Sequence, residues 1–98
     1  MADLQSSWHV EITSIGPGGY VFYYEDNVEP IKCWWDYSVT IAQIDLPAAA
    51  SWDSTYPRAS GRRQTIIERI GQGVCGLQGP QVKFVIENNS ICIRSAKE

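Results

Sequence analysis

Between Trp8 and Leu46 apolar side chains recur at every second position, interrupted only by clusters of turn-forming residues, and this period of two decides the class of the chain. Successive residues of a strand point to opposite faces, so alternation is what a half-buried sheet needs and what a helix of period 3.6 does not provide. Trp8, Val10 and Ile12 fall on one face of the first run, with His9, Glu11 and Thr13 on the other. Gly16-Pro17-Gly18-Gly19 ends it, pairing a fixed φ with residues free to take positive φ. A second run follows over 20–25. A three-residue loop of Gly16, Pro17 and Gly18 sets Ile12 opposite Phe22 and Val10 opposite Tyr24. A turn centred on Asp26-Asn27 then sets Phe22 opposite Ile31 and Tyr20 opposite Cys33. This register places Tyr20, Phe22 and Tyr24 in the core.

From Ile31 the apolar positions are odd (Cys33, Trp35, Tyr37, Val39, Ile41), and then the parity inverts to Ala42, Ile44 and Leu46. Taken as one long strand over 31–46, the inversion calls for a β-bulge near Ala42 or Gln43. Pro47 ends the strand, and 47–59 reads as a connection with room for one short helical turn. Ser60 is placed to cap a helix over 61–75 whose inward stripe is Ile66, Ile67, Ile70 and Val74. Gly71 and Gly73, each costing about 1 kcal/mol relative to Ala, weaken its last turn. A final hairpin sets Ile86 opposite Ile91 and Phe84 opposite Ile93 across Asn88-Asn89, with Lys83 beside Arg94 and Val85 beside Cys92 on the other face.

The order is β-β-β-α-β-β. It describes a single α+β domain over 1–98, with 1–6 and 96–98 frayed and a mainly antiparallel five-stranded sheet carrying one helix on one face. Composition narrows the function classes. Eleven acidic residues against eight basic ones leave a net charge of −3, without the cationic footprint of a nucleic-acid binder. No apolar run approaches the roughly 20 residues of a membrane span. The first residues lack the basic and apolar regions of a secretion signal, and three cysteines without C-x-x-C spacing read as reduced thiols, so a cytoplasmic setting is expected. The acidic stretch from Glu25 to Glu29 lacks the D-x-D-x-D-G pattern of a calcium loop, and no G-x-S-x-G, G-x-G-x-x-G or P-loop motif occurs. His9 is the sole histidine, and its parity directs it away from Cys33. The chain therefore reads as a non-enzyme with no metal and no cofactor.

Two surface features remain. Four Trp, five Tyr and two Phe crowd a chain of 98 residues, and the register leaves Tyr23 and Trp34 on the face opposite the helix, beside Asp36. Either Trp52 and Tyr56 of the 47–59 connection fold over that face and bury it, or it stays open as a surface of the kind enriched at interface hot spots. With Tyr23, Trp34 and Asp36, the acidic tip of Glu25, Asp26 and Glu29 completes a candidate surface for another protein, as in a small inhibitor, immunity-type or regulatory protein. The alternative is an anion or small-ligand site of Arg58, Arg62 and Arg63 at the helix start, where N–H groups and the positive dipole end converge. Homodimerisation through an open sheet edge is compatible with both.

Overall fold

The computed structural model describes residues 7–16, 18–36, 42–87 and 89–96. These form six strands: β1 (Trp8–Ile15), β2 (Gly18–Glu25), β3 (Ile31–Asp36), β4 (Ala42–Asp45), β5 (Val82–Glu87) and β6 (Ser90–Ser95). All pair antiparallel in one sheet of order β1-β2-β3-β4-β6-β5. Between β4 and β5 lie α1 (Ala49–Thr55), a 3-10 turn (Pro57–Ala59) and α2 (Arg63–Gln78). The class is α+β, as the period-two pattern requires, with one strand and one helix more than expected.

The extra strand comes from the parity inversion. β3 and β4 are two strands of a hairpin, with Trp34 opposite Asp45, Trp35 opposite Ile44 and Asp36 opposite Gln43. Opposed residues share a face, and here odd Trp35 meets even Ile44 while even Trp34 and Asp36 meet odd Asp45 and Gln43, so the apolar set changes parity between the two strands. A bulge is not needed. The expected core positions Tyr37, Val39 and Ile41 lie outside the described residues, as do the termini 1–6 and 97–98; Ala96 donates its N–H to the Gln81 carbonyl.

The first hairpin departs from expectation by one residue. Ile15 pairs with Gly18, so Val10 faces Tyr23 and Ile12 faces Val21; across the next pairing Tyr23 meets Ile31 and Val21 meets Cys33. A one-residue slip exchanges the faces of a strand. Val21, Tyr23 and Glu25 therefore point into the core, and Tyr20, Phe22 and Tyr24 point out. Gly16, at φ 61°, supplies the left-handed residue of the turn, and Gly19 lies so close to the Thr13 carbonyl that a Cβ would collide with it. The last hairpin matches expectation pair for pair.

One face of the sheet is covered. Ile66, Ile67, Ile70 and Val74 of α2 pack onto Val10, Val21, Ile31, Cys33, Trp35, Ile44, Ile91 and Ile93. Trp52 of α1 joins this core at 2% exposure, its indole N–H donating to the Ala59 carbonyl at 2.9 Å, and Tyr56 packs beside it at 4.9 Å between ring centroids. The 47–59 connection thus covers the same face as α2, and does not bury the second face. The N-cap of α2 is Arg62, without a side-chain cap, while Ser60 closes the 3-10 turn. α2 also runs past Gly71 and Gly73 to Gln78. Both glycines are contact points: a Cβ at Gly71 would stand 2.5 Å from the Phe84 ring, and one at Gly73 2.5 Å from Val10 Cγ2. Closer seating of the helix on the sheet offsets their poor propensity.

Candidate functional site

The two faces of β2 place its polar and aromatic groups in different surroundings. On the covered face, Tyr23 is 0% exposed and its hydroxyl donates to Glu25 Oε1. Arg62 Nη2 lies 2.9 Å from Glu25 Oε2 and donates at 3.0 Å to Oε1, while Arg69 Nη1 donates to Oε1 at 3.1 Å and to the Tyr23 hydroxyl at 3.0 Å. The Trp8 ring, 5.3 Å from the Arg69 guanidinium and 6.0 Å from the Tyr23 ring, closes the cluster. Burial pushes the Glu25 carboxyl up, but the Tyr23 hydroxyl and the two arginines outweigh it and hold the group below its ordinary value. Burial, then the neighbouring carboxylate, raises the Tyr23 phenol to about 12. The cluster is a satisfied ionic knot joining β2 to α2. Tyr23 and Glu25, expected at the surface, are structural and inaccessible.

The opposite face carries the accessible chemistry. Tyr20, Phe22 and Tyr24 form a ladder along β2, with ring centroids 6.1 and 6.2 Å apart. His9 stacks on Tyr24 at 5.1 Å, and Trp34 meets Tyr20 edge-on at 5.3 Å. Trp34 is 37% exposed, and its indole N–H donates to Asp36 Oδ2 at 3.3 Å. Cross-strand register sets Glu11 opposite Phe22 and Asp45 opposite Trp34. Lys32 Nζ lies 4.7 Å above the Tyr20 ring, so the ladder already holds one cation by its π-face. Beyond the ladder, Asp26 is exposed in the turn after β2, and Glu29 is half-buried in the same connection. Of the expected surface residues, Trp34 and Asp36 therefore stand together on this face and Asp26 lies at its end.

The expected arginine cluster does not converge. Arg62 is committed to Glu25, Arg63 donates to the Pro47 carbonyl at 2.9 and 3.2 Å and to Asn89 Oδ1 at 3.1 Å, and Arg58 is exposed in the 3-10 turn. Burial raises the thiol pKa of Cys33, to about 12, and that of Cys75, which keeps both protonated at neutral pH. Among the described residues, no three His, Cys, Asp or Glu side chains group as metal ligands, and no helix is long and apolar enough to cross a membrane.

The sequence alone places Tyr20, Phe22 and Tyr24 in the core because β2 is apolar at every position from Tyr20 to Tyr24, which suits either parity. The feature that distinguishes the two parities is polar. Arg62 at the N-cap of α2 and Arg69 within it are seven residues apart, about two helical turns, and both reach the carboxylate of Glu25, whose parity places it on the covered face. The fold and this face define a small α+β protein with an aromatic sheet surface that no other described residues cover. Compared with known proteins, the chain matches no family model, no curated protein and no solved structure.

Proposed function

We propose that the chain is a non-enzymatic protein-binding module, of the inhibitor, immunity-type or regulatory kind, that docks its partner on the uncovered face of β1, β2 and β3. The observation that carries this reading is the ladder of Tyr20, Phe22 and Tyr24 with Trp34 beside it, a contiguous aromatic surface that nothing in the described fold covers. Large aromatic groups left in water on one face favour association, and such rings dominate interface energetics. The carboxylates of Glu11, Asp36 and Asp45 outnumber Lys32 on this part of the face, so the reading favours a partner segment bearing arginine or lysine.

A photo-crosslinking residue at position 34, compared with one at Gln72 on the exposed side of α2, tests the reading in the chain's own host. The expected result is one discrete crosslinked protein from position 34 and none from position 72, with loss of the product when Phe22→Ser is added. Equal labelling from both positions, or a product that survives Phe22→Ser, overturns it.

A further inference from the structure

We infer that β5 pairs antiparallel with the β5 of a second copy about a two-fold axis at Val85, joining two sheets into one. This surface is separate from the aromatic face and does not depend on its function. β5 is the outermost strand of the sheet. Ala96 donates its N–H to the Gln81 carbonyl, and Glu87 pairs with Ser90. In an antiparallel ladder these fix the phase: odd residues of β5 exchange hydrogen bonds with β6, and Val82, Phe84 and Ile86 turn their N–H and C=O groups toward the open edge. Those are the groups an added strand would bond.

Symmetry then restricts the register. A two-fold axis perpendicular to a sheet keeps faces, so one residue must meet its own copy and every other pair must sum to twice its number. With Lys83 on the axis, like charges oppose. With Phe84 or Ile86 there, Lys83 or Glu87 is set against Val85. With Val85 on the axis, Lys83 of each copy meets Glu87 of the other, Phe84 meets Ile86, and Val85, a large apolar residue 37% exposed, meets itself. Opposite charges directly across a ladder stabilise it, and like charges destabilise it. Glu87 already accepts from Arg94 at 3.4 Å, and its carboxylate has lone pairs for a second cation.

The same register continues the core. Val82, Phe84 and Ile86 are half-buried on the helix-covered side and pack against the core cluster. The meeting of Phe84 and Ile86 across the axis, once in each direction, would withdraw their remaining apolar surface from water. β1, the other edge, has less to gain. Val10 is already buried there, and His9 already bonds Glu11 within the strand at 3.1 Å. One pair of short strands is a small interface, so the dimer should exchange with monomer as concentration changes.

Sedimentation equilibrium of the full chain, from micromolar to near-millimolar concentration, should show a monomer–dimer equilibrium. Lys83→Glu and Glu87→Lys, each of which sets like charges opposite twice per dimer, should each weaken dimerisation at least about tenfold. The double reversal Lys83→Glu/Glu87→Lys should restore it to within a few-fold of the original. Both positions are exposed, so circular dichroism should confirm that all three variants fold. In hydrogen exchange, the amides of Val82, Phe84 and Ile86 should gain protection with rising concentration while those of Lys83 and Val85 do not. A chain that remains monomeric throughout, a dimer indifferent to either reversal, or protection arising elsewhere overturns the inference.

Discussion

β2 carries the same kinds of side chain on its two faces, yet the faces behave differently. On the covered side Tyr23 and Glu25 are locked by Arg62, Arg69 and Trp8. One residue away, Tyr20, Phe22 and Tyr24 touch one another, His9, Trp34, Lys32 and solvent. The slipped register would bury Phe22 and Tyr24 in their place, with at least as much apolar area removed from water. Apolar burial therefore does not choose between the two. The slip would turn Glu25 to the other face and forfeit its ion pairs with Arg62 and Arg69 and its hydrogen bond from Tyr23, the polar contacts that tie β2 to α2. Where a strand is apolar on both sides, the polar complement sets which side goes in.

The largest effect on this contrast is expected at Glu25. Glu25→Ala should lower the unfolding free energy by about 3–5 kcal/mol in a urea titration, because two arginines lose a buried partner. The contribution is also pH-dependent. A carboxyl held below its ordinary value of 4.5 stabilises the fold fully above that pH, and the contribution is lost as pH falls through the lower folded value. The stability gap between the native chain and Glu25→Gln should stay constant from neutrality down to that range and close below it. A gap that stays open in acid would show that Glu25 is not the group titrating.

Tyr23→Phe keeps the ring and removes the hydroxyl that donates to Glu25 and accepts from Arg69, so a loss of about 2 kcal/mol is expected in the same titration. The smallest effect belongs to the uncovered face. Phe22→Ser should change stability by no more than about 1 kcal/mol, measured by thermal unfolding, since its ring is only half-buried. If Phe22→Ser proved as damaging as Tyr23→Phe, the two faces would not differ in the way described, and the outer ladder would be structural.

What could be read in advance followed from strict patterns. The β5–β6 hairpin is foreseen pair for pair because apolar residues alternate cleanly on both sides of Asn88-Asn89. The inward stripe of α2 is likewise foreseen from the spacing of Ile66, Ile67, Ile70 and Val74. The departures within the sheet share one cause: an alternation of period two says which residues share a face, but not which face is inside or where a strand reverses. Hence β2 is inverted, and the β3–β4 hairpin is taken for a bulge. Trp34 and Asp36 survive as surface residues because β3 alternates sharply, with Lys32 and Asp36 flanking Trp34. Tyr23 and Glu25 do not, because their setting depends on Arg62 and Arg69, far away in sequence. Ser60 looks like a cap by type, but the 3-10 turn over Pro57–Ala59 claims it first.

The position of β6 between β4 and β5 has a consequence for how the chain reaches this state. The first four strands each pair with a sequence neighbour, and so do the last two. The remaining seam, from Ala42–Ile93 to Asp45–Ser90, has to close a loop of roughly 45 residues, at an entropic cost of about 3 kcal/mol. Two locally assembled halves must therefore meet late, along four residues of β4, and substitutions at Ile44 or Ile91 should slow refolding more than substitutions of equal cost at Val21.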